Sequence, residues 1–145
     1  IKKFLKNNET DFFKKLDPIY KAIEITRKKL DKEKSLISFI GAPWTLLVYM
    51  IGAKLNKNEI NFQIIKEKKK EINIILNELN NYLCLHIEKQ IKAGADVVQI
   101  FDSWAGLIPH DDLNNLCYIP NLKIVDFCKS KGVPVICSHE VLGKI

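Results

Sequence analysis

Two hydrophobic patterns alternate along this chain. One places apolar residues every third or fourth position with polar residues between them, which makes one face of a helix. The other is a short unbroken apolar run bounded by Gly, Pro or small polar residues, which makes a buried strand. Asp17-Pro18 supplies an N-cap with proline in the first turn, and Ile19, Ala22, Ile23 and Ile25 continue an apolar face, so a helix is expected from there to about residue 30. Residues 36–40 form the first expected strand. A short helix over 44–51 follows, with Gly52 placed to stop it. Ile64, Ile65, Ile72, Ile75, Leu76, Leu79, Leu83, Ile87 and Ile91 recur at helical spacing and predict a long helical segment over 59–93, bent near its charged run. Gly94 ends it, and 97–101 is the second strand, apolar on both faces apart from Gln99. A helix over 113–130, offset near Pro120, leads through Gly132 to a third strand at 133–137. Strands separated by helices long enough for crossovers predict an α/β fold with a parallel sheet.

The stretch from Ser35 to Ala53 holds 19 residues without a charge, which reaches membrane-spanning length. Its internal pattern argues against a span. Pro43 lacks an N–H and disfavours the helical conformation at Ala42, so the run divides into a strand before it and a helix after it. No membrane association is expected.

In parallel α/β architectures ligands meet the carboxyl ends of the strands, so chemistry is expected after Ile40, Phe101 and Cys137. Small, aromatic and hydroxyl residues gather at the first two of these places, in Phe39-Ile40-Gly41-Ala42-Pro43-Trp44-Thr45-Leu46 with Tyr49 beyond, and in Val98-Gln99-Ile100-Phe101-Asp102-Ser103-Trp104-Ala105-Gly106. From pattern alone each candidate also has a structural reading. Tyr49 is a hydrogen-bond donor to a ligand or a tyrosine on the inner face of a helix. Ser103 is a cleft hydroxyl or the cap of the next turn. Phe39 lines a cleft or fills a core, and Asp102 acts as acid or base or orients its neighbours. Trp44 and Trp104 are expected to pack the loops and Pro43 to stiffen the turn. His86 and His110 lack a partner at ligand spacing and are read as structural.

Composition changes this picture little. The 145 residues are 47% hydrophobic, with a net charge of +6, and of 23 basic residues only Arg27 is arginine. Arginine forks, the usual readers of phosphate and carboxylate, are nearly absent, and no basic stripe alternates with aromatics, so nucleic acid is not an expected partner. The run Lys66-Glu67-Lys68-Lys69-Lys70-Glu71 reads as a solvated helix face. Cys84, Cys117, Cys128 and Cys137 form no C-x-x-C pair, which fits reduced thiols. Cys137 and His139, two apart, are too few ligands for a zinc site.

The two motif stretches, with Gln90-Ile91-Lys92-Ala93-Gly94-Ala95-Asp96 ahead of the second, resemble the uroporphyrinogen decarboxylase family from about Leu16 to about Val135. That family is cofactor-independent and removes carboxylates from the acetate side chains of a tetrapyrrole in haem biosynthesis, taking uroporphyrinogen III to coproporphyrinogen III. The resemblance implies a TIM (β/α)8 barrel more than twice this length. The chain, which does not begin with Met, is accordingly expected to be an internal fragment of one barrel domain over residues 1–145, a partial barrel of roughly three consecutive βα units, inactive alone. It implies a catalytic and substrate-binding role for Tyr49, hydrogen-bonded near the reacting acetate, contact of Ser103 with a substrate carboxylate, and packing of Phe39 against a pyrrole face. It further implies a tetrapyrrole as the partner, no metal or organic cofactor, a homodimer when full length, and the cytoplasm. The aspartate that holds the pyrrole N–H groups, the arginines for the acetates and propionates, and a histidine of the cleft lie in parts of the family outside this stretch. The family follows its third strand with a glycine-rich turn, where this chain has Cys137-Ser138-His139-Glu140-Val141. A related methyltransferase using zinc and a corrinoid, and a non-catalytic helical module, are the alternatives.

Overall fold

The computed structural model describes residues 9–56 and 59–139. The tail from Glu140 onward, part of the stretch that departs from the family pattern, lies outside the described residues. Helix α1 (Glu9–Lys29) is followed by strand β1 (Ile37–Gly41), helix α2 (Pro43–Met50), a hairpin of β2 (Lys54–Asn56) and β3 (Glu59–Ile60), and helices α3 (Phe62–Glu67) and α4 (Lys69–Lys92). Strand β4 (Val97–Asp102), two short 3-10 turns, a π-helical turn at Asn114–Tyr118, helix α5 (Ile119–Ser130) and strand β5 (Val135–His139) complete the order. Strands β1, β4 and β5 make one parallel sheet in that spatial order, with Ile40 opposite Ile100 and Ile100 opposite Cys137.

Two expected boundaries are corrected. Helix α1 does not start at Asp17 but is already formed at Glu9 and runs through Pro18. A mid-helix proline removes a hydrogen bond, and here the packing of its first half outweighs that loss: Phe12 meets Tyr82 edge-on at 4.9 Å and Lys89 lies over the Phe13 ring. The long helical segment does not begin at Glu59. Glu59 and Ile60 are extended because Ile60 is buried in the core and the Asn61 N–H donates to the Ala53 carbonyl at 2.8 Å. The expected bend in the charged run is real, a break at Lys68 (φ −116°, ψ 34°) that lets Ile65 of α3 and Ile72 of α4 enter one core.

That core joins Trp44, Leu47 and Val48 of α2 to Ile75, Leu76 and Leu79 of α4 and to Trp104 and Leu116. A second cluster lies behind the sheet, where Ile40, Val98 and Ile100 meet Leu83, Ile87, Ile124 and Cys128 of α4 and α5. Each fully buried isoleucine there contributes about 1.5–3 kcal/mol. The helices cover only this face. Contrary to the expectation of a sheet covered on both sides, Ile37, Phe39, Phe101 and Ile136 on the other face are exposed.

The single arginine ties the amino ends of the strands together. Arg27 donates to Asp96 at 2.7 Å and to the carbonyls of Leu30, Asp31 and Lys34, satisfying the end of α1, while Asp96 accepts the Leu36 N–H at 2.7 Å. All four cysteines are free thiols. Among the described residues no helix is long and apolar enough to cross a membrane.

Gly94 sits beneath this clasp at φ +111°, and a Cβ there would stand 2.7 Å from the Arg27 Cγ. Gly94→Ala therefore combines backbone strain with a clash and is expected to cost about 2–4 kcal/mol in urea unfolding. Gly52, at φ +64° with open space around it, provides the contrast, and its alanine variant should lose only about 1 kcal/mol.

Candidate active site

The carboxyl end of β4 is organised by a buried carboxylate. Asp102 alternates to the helix-covered face, with Val98 and Ile100, and is 1% exposed. It accepts hydrogen bonds from Thr45 Oγ1 (2.8 Å), Asn121 Nδ2 (3.1 Å) and Cys117 Sγ (3.3 Å). Burial, reinforced by the Asp102 charge and its hydrogen bond, pushes the Cys117 thiol up to about 12, so it remains a protonated donor. Thr45 Oγ1 also accepts the Trp104 N–H at 3.4 Å, and Trp44 Nε1 donates to the Trp104 carbonyl at 3.0 Å. The turn after β4 is thereby fastened to α2 on both sides of its peptide chain. Asp102 thus orients the side chains around it through these bonds, and Trp44 and Trp104 pack the loop as their pattern suggests.

Ser103 occupies that turn and is exposed. Tyr49, on the second turn of a helix that Pro43 begins, is 55% exposed and meets Trp104 edge-on at 5.9 Å between ring centroids. The Lys54 ammonium of β2 lies over both rings, 5.8 Å from the Tyr49 centroid and 5.4 Å from that of Trp104. Neither Tyr49 nor Ser103 is buried in the core.

Phe39 points out of the open sheet face, 66% exposed, and packs edge-on against Phe101 at 5.8 Å. Its backbone is held from behind: Gln90 Nε2 donates to the Phe39 carbonyl at 3.4 Å and to His86 Nε2 at 2.9 Å, and His86 Nδ1 bonds the Tyr20 hydroxyl at 2.9 Å. Burial keeps the His86 pKa low and the ring neutral, as an acceptor at Nε2 requires. His86 is structural, as read from the sequence, but it has two partners that spacing did not reveal. His110 lies near Asp111 on the surface.

The structure thus brings Phe39 together with Phe101, and Tyr49 together with Trp104. The two pairs are linked by the four consecutive residues 101–104, with Ser103 between them. Thr45, Cys117, Asn121 and Gln90 were missed by the sequence reading. Only the unusual hydroxyl after Pro43-Trp44 offered a signal for one of them. Among the described residues no group of three or more His, Cys, Asp or Glu side chains is placed to hold a metal.

Replacing Asp102 by Ala leaves the Thr45 and Asn121 donors buried without their acceptor, and is expected to lower unfolding stability by about 2–4 kcal/mol. Thr45→Val, close in shape, removes one Asp102 donor and the Trp104 N–H acceptor and should cost about 1–2 kcal/mol. Equilibrium denaturation reads both, and unchanged midpoints would show that the network is not stabilising.

The chain matches the profile of the family described as Uroporphyrinogen decarboxylase (URO-D) over residues 1–140, further at both ends than the motifs alone indicate. It is 45% identical over 135 residues to the uroporphyrinogen decarboxylase of Orientia tsutsugamushi (strain Ikeda), covering 90% of this chain and 39% of that protein. It is 40% identical to the enzyme of the same name from Campylobacter jejuni (strain RM1221), with the same shares covered, and 34% identical to that of Rickettsia bellii (strain RML369-C), covering 97% of this chain and 42% of the relative. The chain thus spans about two-fifths of the length of these relatives. With the match running through both motif stretches and nearly the whole chain, it belongs to the uroporphyrinogen decarboxylase family.

Proposed function

We propose that this chain forms one part of the substrate cleft of a uroporphyrinogen decarboxylase, and that its three parallel strands are consecutive strands of a (β/α)8 barrel. The observation that carries this reading is the open sheet face. Parallel sheets are ordinarily covered on both sides, and here Ile37, Phe39, Phe101 and Ile136 stand exposed while helices cover only the other side. In a closed barrel that face turns inward, which supports Phe39 and Phe101 as apolar packing for pyrrole rings near the carboxyl ends of the strands. The homodimer and cytoplasmic location implied by the family belong to the same reading.

The chemistry makes limited demands on these residues. Protonation of the ring carbon next to the one that bears the acetate arm makes the ring an electron acceptor. The bond to the carboxylate then breaks, its electron pair flows into the ring, and carbon dioxide departs. A second proton completes the methyl group and the ring carbon releases the first, restoring the pyrrole, so each cycle replaces one carboxylate by hydrogen. The substrate is its own electron sink, and the protein positions rings and stabilises developing charge. In this scheme Tyr49 donates a hydrogen bond beside the reacting acetate, Ser103 meets a carboxylate, and Asp102 holds the turn that carries Ser103.

Tyr49→Phe in the full-length enzyme is expected to lower turnover of uroporphyrinogen by one to two orders of magnitude, about 1.5–3 kcal/mol for a hydrogen bond to a charged group. An unchanged rate would remove Tyr49 from the site. Ser103→Ala should lose less, since water can replace an exposed hydroxyl. A change confined to thermal stability would assign Ser103 to the fold.

A further inference from the structure

We propose that Lys54 is a substrate-binding residue, its ammonium group anchoring a carboxylate of the polyanionic substrate beside Tyr49 and Ser103. This inference rests on the decarboxylase reading and extends it to a residue outside both sequence motifs. Lys54 is held in place by the fold. Gly52 turns the chain at φ +64°, Ala53 is fully buried with its N–H donated to the Val48 carbonyl at 3.0 Å, and Lys54 pairs with the core residue Ile60 across the hairpin. The side chain nevertheless projects outward, and its Nζ stands over the Tyr49 and Trp104 rings at 5.8 and 5.4 Å.

Aromatic faces attract a cation but leave its hydrogen-bonding capacity unused, since an ammonium group carries three donors and rings accept weakly. Among the described residues the carboxylates in ion pairs are Asp17, Glu88, Asp96 and Asp111, and none is paired with Lys54. Glu59, on the facing strand, is bonded instead by Asn56 at 2.7 Å. The fold therefore places a positive charge over the ring of Trp104, the residue after Ser103 in the turn that follows β4, and among the described residues no acid is paired with it. The chain's one arginine is committed elsewhere, at the amino ends of the strands, where its guanidinium is occupied by Asp96 and three carbonyls. Anion recognition at the carboxyl end then falls to lysine. A flexible ammonium suits substrates whose carboxylates disappear one by one, because it contributes attraction without requiring a fixed bidentate geometry.

Steady-state kinetics of the full-length enzyme with uroporphyrinogen as substrate tests this, using Lys54→Met, which keeps a long apolar stem over the rings, and Lys54→Arg, which keeps the charge. The expected result for Lys54→Met is a KM raised about five- to tenfold with kcat within about twofold of the parent, and a weaker dependence of KM on salt between about 0.05 and about 0.5 M. Lys54→Arg should restore KM to within about twofold of the parent. An unchanged KM in Lys54→Met, or an equal rise in both variants, overturns the proposal. So does a fall in kcat that tracks a lowered unfolding temperature, which would mark Lys54 as structural. A parent enzyme that does not decarboxylate uroporphyrinogen overturns the proposed function itself, and the Lys54 role with it, whereas an active parent with an unaffected Lys54→Met rejects Lys54 alone.

Discussion

A carboxylate withdrawn from water must be matched by donors, and the three donors of Asp102 come from α2, from the π-helical turn and from α5. That requirement holds the carboxyl end of β4 in register with the helices behind the sheet. Ser103 and Trp104, the next two residues, inherit their position from it. Through the Trp104 backbone, which contacts both Thr45 and Trp44, the same constraint fixes the start of α2 and hence the direction in which Tyr49 leaves the helix. The exposed candidate groups are thus supported by a polar cluster whose members are buried.

The two ends of the sheet divide the work. At the amino ends, Arg27 and Asp96 close the connections around α1, β1 and β4, and Gly94 permits the close approach that this needs. At the carboxyl ends the side chains are aromatic, hydroxyl-bearing or cationic, and several are left open to solvent. This is the division expected where one end of a parallel sheet is built for stability and the other for binding. The backbone of Phe39 is shared between them, since Gln90 and His86 carry a polar chain from α1 across α4 to its carbonyl.

The sheet is covered on one face and open on the other. Burying Ile40, Val98 and Ile100 against α4 and α5 satisfies one side, while Phe39 and Phe101 pack only against each other on the opposite side. Exposed apolar area of this kind marks a surface meant to be covered. The chain spans about two-fifths of the length of the relatives it matches.

The sequence by itself determined the order of the main helices and of the three strands of the parallel sheet, though not the β2–β3 hairpin, the place of Pro43 at the head of α2, the stops at Gly52, Gly94 and Gly132, and the two stretches where candidate residues gather. These features are local: proline geometry, glycine conformations and apolar periodicity act within a few residues. The same local rules misplaced the start of α1, because they weigh Pro18 without the packing of Phe12 and Phe13, and they extended a helix through Glu59 and Ile60, where burial of Ile60 decides for a strand. Only the tertiary structure decided which face of each strand is covered, that Asp102 turns inward while Phe101 and Ser103 remain exposed, and that Lys54 reaches Tyr49 and Trp104. Partners such as Thr45 and Asp102, 57 positions apart, meet through chain crossovers. Periodicity assigns a residue to a face, but it carries no information about which distant residue lies opposite.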